Sequence, residues 1–174
     1  MFNRVRQVFA ALTAKITDHD RKFIAGQLNQ QEQRLFWGMN LPDQRHALNV
    51  AYTALKLAPP QTINRVVLTK SALLHDVGKV KGDISTIDKI LTVVAHKLNG
   101  KWAERWGRPG KGSGLNNLRH AFYTYFHHPQ RSATLLNAIN EDPLIVEIVS
   151  RHHKAPAETD PPELCILRMA DNMH

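Results

Sequence analysis

Apolar residues recur at helical spacing along most of the chain. Phe2, Val5, Phe9 and Leu12 share one face, with Arg4, Arg6 and Lys15 off it, which predicts a first amphipathic helix packed on its own domain. A second helix is predicted from Asp20 to Met39. Asn40-Leu41-Pro42-Asp43 has the grammar of a helix start. The third helix it opens carries His46, Val50, Ala51, Ala54 and Leu55 and stops at Pro59-Pro60. Ile63 to Leu74 is apolar enough for a buried central helix, with His75-Asp76 at its end just before Gly78. Ser85 and Asp88 resemble a capping box for a helix reaching Leu98. Asn99 to Asn117, with Gly100, Gly107, Pro109, Gly110, Gly112 and Gly114, reads as a long loop with a short helical piece around Trp102 to Trp106. Leu118 to Phe126 and Pro129 to Ile139 read as two further helices, with His128 a possible N-cap between them. Asp142-Pro143 starts a helix running to His152, and Asp160-Pro161-Pro162-Glu163 repeats that grammar for the last one. No alternating stretch is long enough for a sheet. The expectation is an all-α fold, a single compact bundle of about eight or nine helices.

At 174 residues there is room for one sizeable core. The content of 43% apolar and 22% charged residues is that of a globular chain. No uncharged apolar run is long enough for a membrane span. Met1 to Lys15 lacks the apolar core and small-residue cleavage site of a signal peptide. The single cysteine, Cys165, excludes an internal disulfide and suits a reducing cytoplasm. Its apolar neighbours Leu164, Ile166 and Leu167 predict a buried structural thiol. With 23 Lys and Arg against 15 Asp and Glu, the formal charge of +8 favours an anionic partner. A phosphorylated small molecule such as a nucleotide is preferred, with nucleic acid the less favoured form; oligomeric state is not legible.

The ten histidines change the picture, because imidazole is the commonest metal ligand. His46, His75-Asp76, His127-His128, His152-His153 and Asp171 fall on five separate helices or helix ends. Their contexts are Asp43-Gln44-Arg45-His46-Ala47, Leu73-Leu74-His75-Asp76-Val77-Gly78-Lys79, His128-Pro129-Gln130-Arg131-Ser132-Ala133, Ser150-Arg151-His152-His153 and Leu167-Arg168-Met169-Ala170-Asp171-Asn172. In order and context these stretches resemble the HD-domain superfamily of metal-dependent phosphohydrolases, in its two-metal branch. The resemblance spans about residues 41–172 and divides the chain into N-terminal helices over 1–40, packed on the core, and an HD domain over 41–174.

The resemblance implies two divalent transition-metal ions, Fe or Mn first, with Co, Zn or Ni also suited to nitrogen and oxygen ligands. His46, His75, Asp76 and Asp171 would hold one ion, and Asp76, His128, His152 and His153 the other. His127 is the competing ligand to His128, while His19, His96, His120 and His174 match nothing in the pattern. The implied reaction is phosphoester hydrolysis by water activated between the ions, with Asp76 as the shared carboxylate. Lys79 and Arg131 are the expected phosphate-facing cations. The basic loop residues Lys97, Lys101, Arg105, Arg108, Lys111 and Arg119, with Trp102 and Trp106, could close over an anionic base or sugar-phosphate.

The chain departs from cyclic-dinucleotide phosphodiesterases of the HD-GYP type, having no Gly-Tyr-Pro signature and Pro129 where a Glu stands. Its His-Pro and His-His segments look more like the catalytic domain of membrane-bound cyclic-di-AMP phosphodiesterases. Two rival classes use related architecture: HD-type di-iron oxygenases and non-catalytic nucleotide-sensing modules.

Overall fold

Thr17 and Asn29 each close a reciprocal capping box, with Asp20 and Glu32 respectively, and so start two helices inside the segment expected to hold one. These are α1 (Asp18–Gln27) and α2 (Gln30–Trp37). The local bonds of Asn29 to the backbone N–H groups of Gln31 and Glu32 outcompete continuation of the helix. The structure, a computed structural model, describes residues 15–59, 62–82, 102 and 104–174. The helices expected at Phe2 to Leu12 and Ser85 to Leu98 lie outside the described residues.

Five further helices are bounded among the described residues: α3 (Leu41–Leu57), α4 (Arg65–Leu74), α5 (Gly114–Ala138), α6 (Pro143–Arg151) and α7 (Pro162–Asn172), and residues 102 and 104–106 are helical as expected. The described residues contain no strand, only an isolated bridge between Met39 and Val80. The all-helical architecture is the one expected. Helix α4 is its hub. Seven of its residues are buried, Val67, Leu68, Thr69, Ser71, Ala72, Leu73 and Leu74, and it packs on α1, α2, α3, α6 and α7. Ile24, Phe36, Leu48, Leu73, Leu136, Ile148 and Leu167 meet in one core, so α1 and α2 share it with the later helices. A buried polar tie reinforces this, with both Arg45 and Tyr52 of α3 bonded to Asp20 of α1.

Three expectations are corrected here. Residues 118–138 form part of one helix rather than two, which starts at Gly114 inside the expected loop and carries Pro129 in its interior. Proline removes the N–H that would bond the carbonyl four residues back, and that carbonyl, Tyr125 O, accepts from the His128 ring at 2.7 Å instead. His128 is therefore not an N-cap. Second, Asp160 does not cap α7: it pairs with Arg151 and Arg168 and accepts from Ala157 N–H, and Pro161 occupies the cap position with no side-chain bond. Third, Cys165 is exposed. Leu164, Leu167 and Ala170 form the buried face of α7, which leaves Cys165 with Pro162 and Met169 on the outer one.

Candidate metal centre

The seven sequence-predicted ligands stand on five elements, and the packing of α4 against α3, α6 and α7 and of α5 against α6 draws them together. His46 comes from α3, His75-Asp76 from the turn after α4, His128 from α5, His152-His153 from the turn after α6, and Asp171 from α7. Asp76 is central, with Oδ2 3.4 Å from His75 Nε2 and 3.8 Å from His46 Nε2. Its other oxygen, Oδ1, lies 3.3 Å from His128 Nε2. Asp171 Oδ1 lies 2.9 Å from His46 Nε2 and 3.8 Å from His75 Nε2. Ligand atoms of His46, His75 and Asp76 lie within 4.8 Å of one another, as do those of His128, His152 and His153. A third such group joins His75, His152 and Asp171, so His152 stands between the two expected sets. His127 points elsewhere, its ring 4.7 Å from Tyr123.

Helix ends explain how the rings are aimed. The last carbonyls of a helix lack intrahelical donors. At the end of α4, Ala72 O accepts from His75 Nδ1 at 2.9 Å. At the end of α6, Val149 O accepts from His152 Nδ1 at 2.6 Å. The carbonyl freed by Pro129 does the same for His128. A carbonyl can only accept, so in all three rings Nδ1 carries a proton and Nε2 is the atom left facing the site.

Those Nε2 atoms meet no donor. His75 Nε2, His128 Nε2, His152 Nε2 and Asp76 Oδ1 are buried side-chain atoms without a hydrogen-bond partner. Leaving one such group unsatisfied costs about 1–3 kcal/mol, and here three ring nitrogens and a carboxylate oxygen converge without partners. Divalent cations are what such a donor set fits, with imidazole and carboxylate ligands and a carboxylate offering an oxygen to either side.

The protonation states suit that assignment. Burial, with the charges of His75 and His153, pushes the His152 imidazole down to about 3. Burial and then Lys79 hold His128 well below its ordinary value, so both rings are neutral near pH 7. Burial would raise the carboxyls, but Lys79 and His75 keep Asp76 ionised, and the His46 hydrogen bond does so for Asp171. His75 goes the other way: Asp76 outweighs the effect of burial and lifts it to about 9, so near pH 7 its Nε2 holds a proton that a bound cation would have to displace.

Lys79 donates to Asp76 Oδ2 at 2.7 Å, inside the cluster rather than at its rim. Arg131, one turn beyond His128, donates to Thr124 Oγ1 at 2.5 Å. Three positioning features were not singled out from the sequence. Ser132 Oγ donates to His75 O and accepts from Gly78 N–H, both at 2.8 Å, locking the His-Asp turn to α5. A Cβ on Gly78 would meet His128 O at 2.6 Å and Ser132 N at 2.8 Å, so only glycine allows that contact. Arg168 caps the end of α6 through the carbonyls of Arg151 and His152 while bound to Asp160. Ser132, Gly78 and Arg168 all lie within the quoted stretches, but nothing local marks any of them for a positioning role.

No curated protein and no solved structure matches the chain significantly. A family model does, that of the HD domain, over residues 44–174. That span begins two residues before His46 and takes in every member of the cluster. On this match the chain belongs to the HD domain family.

Proposed function

We propose that the chain is a metal-dependent phosphohydrolase that cleaves a phosphoester of a small phosphorylated molecule, with a nucleotide, cyclic or dinucleotide, as the preferred class. The observation carrying this reading is the convergence of three buried Nε2 atoms and a buried carboxylate oxygen with no partner. His46, His75, Asp76 and Asp171 would hold one cation, and Asp76, His128, His152 and His153 a second. Cations bound there supply Lewis-acid charge at the phosphoryl oxygens and a water acidic enough to attack near neutral pH. The mixed nitrogen and oxygen set suits Fe or Mn, with Co, Zn or Ni as further options.

The chain's own contribution is orientation and charge. Ala72 O, Tyr125 O and Val149 O hold three imidazoles with Nε2 facing the site. Lys79 brings an ammonium to Asp76 and can offer it to phosphoryl oxygens as negative charge gathers on them. Arg131, on the same side of α5 as Ser132, is the second candidate cation. The formal charge of +8 favours an anionic substrate. No helix of the described residues is long and apolar enough to cross a membrane. A cytoplasmic setting, residues 41–174 as the catalytic domain and 1–40 as helices packed on it complete the proposal.

The test is metal analysis of protein purified anaerobically without chelator, followed by a nucleotide and phosphoester panel with Mn²⁺ or Fe²⁺. About two equivalents of metal and anaerobic phosphate release are expected. Asp76→Ala should lose both while keeping its far-ultraviolet helical signal. Oxygen-dependent turnover would support the oxygenase class, absence of any turnover the sensor class, and full activity in Asp76→Ala would place the site elsewhere.

A further inference from the structure

A second cationic recess lies away from the metal cluster. The loop over residues 107–113 folds back on the first turns of α5 and borders a half-open recess of about 220 Å³ between Arg108, Pro109, Gly110, Lys111, Asn116 and Arg119. Among these described residues three are cations and none is an acid, and Lys111 Nζ also donates to Gly82 O at 2.9 Å. The loop is bound to the helix along its length: Arg108 N–H donates to Arg119 O at 3.1 Å, Gly110 N–H to His120 Nδ1 at 3.2 Å and Gly112 N–H to Asn117 Oδ1 at 3.2 Å. Gly110 and Gly112 adopt φ of +127° and +142°, which side chains disfavour. Arg119 is half-buried while Arg108 and Lys111 are exposed, so the cations rim an open recess whose floor these backbone bonds shape.

Two features point to the kind of ligand. The recess opens at the N-terminus of a 25-residue helix with no acid in its first turn, the end of a helix that attracts anions. Arg119 is also fixed in direction, its guanidinium 5.7 Å over the Trp106 ring and its Nε donating to Trp106 O at 3.3 Å. Trp102 stacks on Trp106 at 5.6 Å and 14°, and is 52% exposed. Cations aligned with an exposed, stacked indole suit a phosphate chain joined to a flat base.

We infer that this recess is a nucleotide-binding site separate from the metal centre, with phosphates between Arg108, Lys111 and Arg119 and the base on Trp102. Arg119 and His128 are nine residues apart on α5, which is about 13 Å along the axis and roughly half a turn around it. The recess therefore faces away from the metal cluster and is not a subsite of it. Because the site does not depend on the phosphohydrolase reading, its test is a binding measurement on chelator-treated full-length protein. Absence of hydrolysis would leave that measurement unaffected.

The probes are ATP and inorganic triphosphate, read by tryptophan fluorescence and by calorimetry. Saturable binding of both is expected, with ATP the tighter. Arg108→Gln with Arg119→Gln should weaken both by about tenfold or more. Trp102→Ala, a change at an exposed side chain, should bring ATP down to the affinity of triphosphate and leave triphosphate unchanged. Lys79→Met should alter neither. No saturable binding, binding indifferent to the Arg108 and Arg119 changes in a folded variant, or binding lost in Lys79→Met would each overturn the inference.

Discussion

Lys79 Nζ sits on the one carboxylate that both halves of the metal cluster share. An ammonium cannot ligate a cation, and beside divalent ions it is repelled unless anionic substrate intervenes. Lys79→Met should therefore leave metal stoichiometry unchanged and metal affinity no weaker. Turnover should fall by about ten- to a thousandfold, roughly 1.4–4 kcal/mol of lost transition-state stabilisation. Bound metal and steady-state kinetics, measured in one buffer, decide it. Unchanged kinetics would make Lys79 a bystander, and lost metal would make it a structural support.

Among the elements, the turn after α4 and the helix α5 touch at Gly78, where a methyl group would strike backbone atoms of both His128 and Ser132. Backbone cannot rotate aside as a side chain can. Gly78→Ala should cost about 1–3 kcal/mol of stability and widen the 3.3 Å approach of Asp76 to His128. Denaturant unfolding with metal titration should show a destabilised protein whose second equivalent binds weakly. Normal affinity for both equivalents would mean that the turn is not positioned by this contact. A second joint links α1 to α3. Although burial opposes it, the Arg45 and Thr17 hydrogen bonds hold the Asp20 carboxyl below its ordinary value of 3.8. A carboxyl depressed on folding stabilises above the unfolded value, and its contribution shrinks as pH falls from about 5 toward the lower folded value. Asp20→Asn should cost roughly 3 kcal/mol at pH 7, as for a broken buried pair. The gap from wild type should narrow by pH 3 in urea unfolding. A gap that does not change with pH would refute the linkage.

For the whole molecule, the seven candidate ligands come from five elements, so a bound cation ties together helices that are distant in sequence. Ligand that binds only the folded state stabilises it by about 2.7 kcal/mol at a hundred times its dissociation constant. At about 2–4 °C per kcal/mol for a chain of this size, adding Mn²⁺ to chelator-treated protein should raise Tm by about 5–10 °C. Asp76→Ala should show no such rise. Calorimetry that finds no shift in the wild type would argue against a metal linking these elements.

What the sequence by itself determined is what short-range physics controls. Helix starts at Asn40-Leu41-Pro42 and Asp142-Pro143 were legible because caps and proline act within a turn. The candidate set His46, His75, Asp76, His128, His152, His153 and Asp171 is legible as a motif order, and the fold brings these residues together. Tertiary structure decided the rest. Residues 118–138 could continue through Pro129 because the His128 ring satisfies the freed carbonyl, a bond that no propensity scale contains. Asp160 left its cap for Arg151 and Arg168, and Cys165 fell on the outer face of α7, because contacts across helices outweigh local preference. How Ser132 and Gly78 clamp the His-Asp turn likewise followed only once that turn had met α5. Those choices rest on atoms brought within about 3 Å across more than fifty residues of chain, and no local window of sequence reaches that far.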